Sequence, residues 1–307
     1  MIDNAVICEL EQLAGKENVL VGEPLSAYTT FKIGGPADCL LRPTTVEGIA
    51  QVMAACKKHG VPVHVLGRGS DLLVADAGVR GVVLQIADNL SGIEVDADAG
   101  LIVAEAGATN EAVAQAAAEA GLAGYEFASG IPGGIGGAAI MNAGAYDGQF
   151  SDVAVSVTCL DAQGAMVTVS ADEADWGYRH SRMSDEGMIV LSATLALDHD
   201  APSAIYARMA DLSERRAAKQ PLELPSAGST FKRPEGYFAG KLIQDAGMQG
   251  ASVGGAQVST KHAGFVVNVG DATAQDVRDL IAAVQQRVYE DAGVRLEPEV
   301  RMWGFDD

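Results

Sequence analysis

The feature that most constrains this chain is a glycine-dense stretch, residues 129–148, reading SGIPGGIGGAAIMNAGAYDG. Glycine at this spacing lets a backbone take positive φ and approach a ligand with no Cβ atoms in the way. Successive amide N–H groups then converge into a concavity that binds anions. A second, shorter stretch, Leu66-Gly67-Arg68-Gly69-Ser70-Asp71-Leu72-Leu73, repeats the theme. Either loop alone also reads as a tight turn between a strand and a helix; two together point to a ligand. A hydrogen bond to a charged phosphate oxygen contributes about 1.5–3 kcal/mol, so two such loops hold a pyrophosphate without many lysines. That economy suits a chain with 41 acidic and 21 basic residues, a net charge of −20 and a pI near 4.5. The same mean field repels nucleic acid and anionic membranes, so neither is an expected partner.

Two common phosphate motifs compete for the glycines. Gly134-Ile135-Gly136-Gly137-Ala138-Ala139 fits the dinucleotide fingerprint G-x-G-x-x-A, but the residues before it, Tyr125-Glu126-Phe127-Ala128-Ser129, make a poor buried strand. A nucleotide-triphosphate loop is absent, because Gly240-Lys241 is followed by Leu242 and not by Ser or Thr.

The remaining pattern is mixed. Thr44 to Glu47 offers a capping box ahead of an apolar-periodic helix that Gly60 and Pro62 end. Residues 61–66 read as a buried strand running into the first glycine loop, and residues 81–86 as a further strand. Strands follow at 93–96 and 101–105, a helix at 109–120, a hairpin at 153–160 and 166–169 around the turn at 161–164, and a strand at 188–197. The charged, proline-containing residues 198–202 are the best domain boundary. Beyond them come helices at 203–219 and 237–245, a strand near 265–269, a helix between Thr273 and Gly293, and a final strand at 299–303. The reading is an α+β cofactor region followed by a smaller α/β unit.

At 307 residues and 48% hydrophobic content the chain can bury a sizeable core. Its start lacks a basic, apolar leader pattern, and no apolar run approaches the ~20 residues that cross a bilayer, so a cytoplasmic protein without membrane insertion is expected. Cys8, Cys39, Cys56 and Cys159 have no C-x-x-C spacing, so no metal site is expected and they read as small buried residues.

The longer segments resemble one family, the UDP-N-acetylenolpyruvoylglucosamine reductases. They are TTFKIGGPAD, LGRGSDLL, SGIPGGIGGAAIMNAGAY, GYRHSRM, AGSTFKRPEGYFAGKLI, STKHAGFVVN and LEPEVRMWG, in family order from about residue 29 to residue 304. The resemblance implies a vanillyl-alcohol-oxidase/PCMH-type FAD fold, with residues 1–86 and 87–199 as two FAD-binding subdomains and 200–307 as a C-terminal α/β substrate-binding domain. It implies a monomer or weak oligomer in which NADPH reduces FAD and hydride then passes to the enolpyruvyl ether of UDP-N-acetylglucosamine, giving UDP-N-acetylmuramate.

Residue by residue, Arg179 matches the family's catalytic arginine, Ser229 its proton donor and Glu299 its catalytic glutamate. Hydride added at C3 of an enolpyruvyl carboxylate pushes charge toward the carboxylate, which a guanidinium stabilises as it develops. The expected cofactor contacts are Leu66, Gly67, Arg68, Gly69, Ser70 and Asp71 in the first loop. In the second they are Ser129, Gly130, Ile131, Pro132, Gly133, Gly134, Gly136, Gly137, Asn142, Ala143 and Gly144. Tyr146, Tyr178, Lys219 and Arg233 are the expected substrate contacts.

Three positions depart from the family's common pattern: Asp71 for Asn, Asp147 for Gly, and Arg233 for an Asn of some members. An ionised Asp71 accepts hydrogen bonds but cannot donate as an amide does. The extra tyrosine-bearing loop of the longer subtype is missing. Residues 67–71 contain no His or Cys to tether a flavin, so FAD is expected to bind non-covalently. The competing reading, a nucleotide-sugar binding protein without catalysis, is disfavoured by Arg179, Ser229 and Glu299 occurring together.

Overall fold

The computed structural model of the chain describes residues 2–305. The first unit comprises helix α1 (Asn4–Ala14), strands β1 (Val19–Val21) and β2 (Ala37–Leu41), helix α2 (Val46–His59), and strands β3 (Val63–Leu66), β4 (Leu72–Val74) and β5 (Val79–Gln85). Four strands form a sheet in the order β1-β2-β5-β3, with β2 and β3 parallel to β5. In β5, Val82, Val83 and Leu84 are all fully buried, the continuous apolar run of a parallel strand covered on both faces. Helix α2 begins one residue later than the expected capping box. The N-cap is Thr45, not Thr44: it is extended and accepts from Gly48 N at 3.0 Å, which leaves Glu47 too early in the helix to bond back. Gly60 closes the helix at φ 64°.

The second unit is built on an antiparallel sheet. In chain order it contains β6 (Ile93–Asp96), β7 (Leu101–Glu105), α3 (Asn110–Glu119), β8 (Leu122–Ala123), α4 (Ile135–Ile140), β9 (Gly144–Ala145), β10 (Gly148–Gln149), β11 (Ala154–Leu160), β12 (Met166–Ser170), α5 (Arg182–Asp185), β13 (Ile189–Ala196), β14 (Asp198–His199) and α6 (Pro202–Lys219). The large sheet runs β12-β11-β13-β7-β6. The expected hairpin is β11 and β12, closed by Gly164 N donating to Asp161 O at 2.9 Å. A six-residue helix, α4, follows Gly134, and a single 3₁₀ turn at Glu126–Ala128 stands where a dinucleotide fingerprint needs a strand. Helix α6 packs on this unit: Arg208 donates to Glu126 at 2.7 Å and Gln115 to the Tyr206 hydroxyl at 3.1 Å.

The third unit holds α7 (Ala239–Asp245), the small antiparallel sheet β15 (Ser252–Val253), β16 (Ala256–Val258) and β17 (Val266–Asn268), and α8 (Ala274–Ala292). Helix α8 carries the expected start and stop: Thr273 and Asp276 form a capping box, and Gly293 sits at φ 68°. It buries Val277, Leu280, Ile281, Val284 and Val288, one apolar stripe at helical spacing. The last strand, β18 (Arg301–Trp303), then leaves this unit and pairs parallel with β4, with Arg301 opposite Leu72. The sequence indicates that strand but not its partner. Because of the pairing, the chain end is stitched to the first glycine loop, with Arg301 N donating to Asp71 O at 2.9 Å.

A buried polar contact joins the helix and loop beside the second glycine stretch. The Tyr125 hydroxyl, 1% exposed, donates to Asn110 Oδ1 at 2.8 Å, and Asn110 Nδ2 donates to Ile131 O at 3.3 Å. Tyr125→Phe keeps the ring and leaves the Asn110 oxygen unpaired in a dry site. We expect it to lower the unfolding free energy by about 1–3 kcal/mol, read as a lower urea midpoint at unchanged m value. An unchanged midpoint contradicts the assigned role of this bond.

Candidate active site

Both glycine loops open onto one cavity of about 480 Å³. Leu66, Gly67, Arg68, Gly69, Ser70 and Asp71 line it from one side, and Ile131, Pro132, Gly133, Gly134, Gly136, Gly137, Ala143 and Gly144 from the other. The fit to an anionic dinucleotide rests on three features. Among the described residues the amides of Gly67, Arg68, Gly69 and Ser70 have no protein acceptor. A Cβ at Gly67 or Gly137 meets nothing within 4 Å, so these positions face open cavity. At Gly69, φ 60°, the backbone runs hard against Tyr28 O, which excludes any side chain. Ser70 Oγ donates to Pro132 O at 3.2 Å and ties the loops together.

Three expected contacts lie behind the wall. Ser129 Oγ is committed to Glu126 O at 2.8 Å, and Gly130 backs onto Arg216, whose Cδ is 3.0 Å from a Cβ placed there. Asn142 is a strut, 2% exposed, whose side chain bonds Gly177 O at 3.1 Å and Ser151 N at 2.9 Å. Met141, Val190, Arg216, Arg301 and Trp303 also line the cavity, although none is among the expected contacts. Met141, Arg301 and Trp303 lie within the matched segments, and Val190 and Arg216 lie outside them.

The end of α4 fixes the loop that carries Arg179. Trp176 Nε1 donates to Ala139 O at 2.9 Å and Ser181 Oγ to Ile140 O at 2.8 Å. Between these anchors Arg179 sits at φ 55°, a left-handed conformation that costs a bulky residue about 1–3 kcal/mol. Its Nε donates to Glu299 Oε1 at 2.7 Å, with the two side chains 21% and 14% exposed. The Tyr178 hydroxyl donates to Glu299 Oε2 at 3.2 Å. Glu299 is placed by its own backbone, N to Thr230 O at 2.8 Å, which sets it beside Ser229 in the neighbouring segment.

A second cavity, about 370 Å³, lies on the other side of this group, and its lining includes Tyr178, Arg233 and His262. Arg179, Ser229 and Glu299 line both cavities. The three residues therefore form a shared wall. Arg233 lies 4.0 Å over the Phe238 ring, a cation–π contact that holds its charge in the second cavity. Burial holds the His262 imidazole below its ordinary pKa, with the nearby Lys219 charge adding to the effect. Lys219 itself ends α6, exposed, and lines neither cavity. Tyr146 occupies the turn between β9 and β10, 4.8 Å beneath the Arg215 guanidinium, also away from the shared wall.

Comparison with known protein families matches residues 37–170 to an FAD binding domain and residues 220–303 to the C-terminal domain of UDP-N-acetylenolpyruvoylglucosamine reductase. A UDP-N-acetylenolpyruvoylglucosamine reductase of Agathobacter rectalis is 52% identical, covering 93% of this chain and 94% of its own. One from Lachnoclostridium phytofermentans is 47% identical over 99% and 98%. The chain belongs to the UDP-N-acetylenolpyruvoylglucosamine reductase family. A crystal structure of the reductase from Thermus caldophilus superposes with a TM-score of 0.78 at 36% identity, covering 93% of this chain and 98% of that one. As a member of this reductase family the chain is an FAD-dependent oxidoreductase of peptidoglycan precursor synthesis, with the FAD-binding fold that its motifs imply. Among the described residues no group of three or more His, Cys, Asp or Glu is placed to hold a metal ion.

One cavity residue departs from the common reductase pattern in chemistry as well as identity. Asp71 lines the cavity with 44% of its side chain accessible, although its surroundings are densely packed. Desolvation there raises its pKa above the ordinary carboxylate value, opposed by Arg301 at 3.9 Å. The folded protein thus holds the Asp71 proton to higher pH than the unfolded chain, and stability falls as pH rises from the ordinary to the raised value. Asp71→Asn removes this titration. It should raise the melting temperature of the full chain at pH 7.5 and lose that advantage near pH 4. An equal gain at both pH values contradicts the assignment.

Proposed function

We propose that this chain catalyses the NADPH-dependent, FAD-mediated reduction of UDP-N-acetylglucosamine enolpyruvate to UDP-N-acetylmuramate in the cytoplasm. The observation that carries the reading is the wall of Arg179, Ser229 and Glu299 between the glycine-loop cavity and the cavity holding Tyr178, Arg233 and His262. FAD, when bound by the two glycine loops, would supply the hydride chemistry, from NADPH to C3 of the enolpyruvyl group. Everything else is work for the protein's own side chains. The glycine loops and the third unit form the two sides of the site, and a three-part division at about residues 86 and 199 belongs to this reading. Helix α6 packs on the second part and leads into the third.

Arg179 spends its Nε on Glu299, which leaves the two terminal nitrogens of the guanidinium to grip the substrate carboxylate as a fork. Charge builds on that carboxylate as hydride reaches C3, and a fixed cation in a water-poor wall stabilises it without reorganising. Glu299 accepts from both Arg179 and Tyr178 and so locks the arginine's aim. Ser229, held in the shared wall, delivers the proton to C2, where a weak acid suffices against so basic a carbon. Arg233 adds a cation to the substrate side, suited to the sugar nucleotide's diphosphate.

Separating the two half-reactions tests this assignment. Ser229→Ala should leave bleaching of the flavin by NADPH nearly intact, and should slow reoxidation by the enolpyruvyl substrate by roughly three orders of magnitude or more. Equal loss in both stopped-flow phases removes Ser229 from the proton-donor role.

A further inference from the structure

Four arginines line the glycine-loop cavity among the described residues: Arg68, Arg179, Arg216 and Arg301. Three face carboxylates. Arg68 meets Asp88 at 2.6 Å, Arg179 meets Glu299 at 2.7 Å, and Arg301 stands 3.9 Å from Asp71. Arg216 has no carboxylate partner and no hydrogen-bond acceptor among the described residues. In a chain of net charge −20, an arginine left unpaired and half-buried is an exception that its surroundings must explain. Burial lowers its pKa.

Its position supplies the explanation. Arg216 projects from the last turn of the eighteen-residue helix α6, where the helix dipole favours a cation. Its stem packs over Gly130, where a Cβ atom would lie 3.0 Å from Arg216 Cδ, so Gly130 is glycine here to make room and not to turn the chain. Two residues on, Pro132 O receives the Ser70 hydroxyl, the point at which the two loops meet. The unpaired amides of residues 67–70 line the same cavity as Pro132 and Arg216. Amides, a loop junction and a half-buried planar cation thus share one cavity, and the diphosphate is the only part of oxidised FAD with formal charge.

We propose that Arg216 is the counter-cation of the FAD diphosphate, a cofactor contact outside both glycine motifs; this rests on the FAD-binding reading of the cavity. The arrangement also couples the cofactor to the substrate segment. Gln220 N donates to Arg216 O at 2.8 Å, so the residue that grips the cofactor also starts the stretch leading to Ser229.

The test is FAD affinity of the full-length chain, followed by flavin fluorescence, with flavin midpoint potential measured at saturating FAD. Arg216→Gln should weaken FAD binding ten- to a hundredfold, Arg216→Lys should recover part of the loss, and the potential should stay at the wild-type value. ADP, which carries the diphosphate without the flavin ring, should lose at least tenfold in its own affinity on the Gln variant, read by competition with FAD after allowing for the weaker FAD binding. Gly130→Ala, which pushes on Arg216, should weaken FAD in the same direction and carries the test if the Gln variant does not fold. Unchanged FAD affinity in both variants overturns the proposal. So does an altered midpoint potential with ADP competition intact, which places the guanidinium against the ring.

Discussion

Two carbonyls at the end of helix α4, those of Ala139 and Ile140, accept hydrogen bonds from Trp176 and Ser181, and the turn between these anchors forces Arg179 into a left-handed backbone. Strain of this kind persists only where the surroundings over-determine it. Asn142 adds a third tie, to Gly177 O, from within the second glycine stretch. The element that shapes the glycine-loop cavity therefore also positions Arg179, which lines both cavities. If the loop relaxed, Arg179 would lose its 2.7 Å contact with Glu299, and the wall between the two cavities would open.

The other half of the wall arrives from the far end of the chain. Strand β18 pairs with β4, directly after the first glycine loop, and this parallel ladder draws the segment just before it, with Glu299, toward the cavity. The Glu299 amide bonds to Thr230 O, so the serine beside that threonine is placed by the same hydrogen bond. Arg179, Ser229 and Glu299 come from three separate stretches, and each is fixed mainly by backbone contacts. Such placement leaves these side chains little freedom, which the proposed orientation-dependent catalysis needs.

How much of this was legible beforehand follows from the range of each interaction. Helix α8 was readable because Thr273, Asp276, the apolar stripe and Gly293 all act within a turn or two of one another. The hairpin β11–β12 was readable for the same reason, its turn chemistry being local. The start of α2 was misplaced by one residue, because Thr44 and Thr45 are chemically alike and only backbone conformation separates them. The β18–β4 pairing was not legible, since it joins residues far apart in the chain and leaves no periodic trace. The site divides along the same line. Glycine loops and the three wall residues stand in motifs long enough to be matched, whereas Arg216 is one basic residue among several on an exposed helix. Its meaning appears only when the acid that should pair with it proves absent from its surroundings.

The central claim is that hydride from a flavin in the glycine-loop cavity passes directly to an enolpyruvyl sugar nucleotide that Arg179, Ser229 and Glu299 hold and protonate where the two cavities meet. The most direct measurement is anaerobic: reduce the FAD-loaded protein with one equivalent of NADPH, then add UDP-N-acetylglucosamine enolpyruvate and follow the flavin absorbance. The account predicts rapid return of the oxidised flavin spectrum with formation of UDP-N-acetylmuramate. A reduced flavin that stays bleached in the presence of that substrate, in a folded protein with FAD bound, contradicts it.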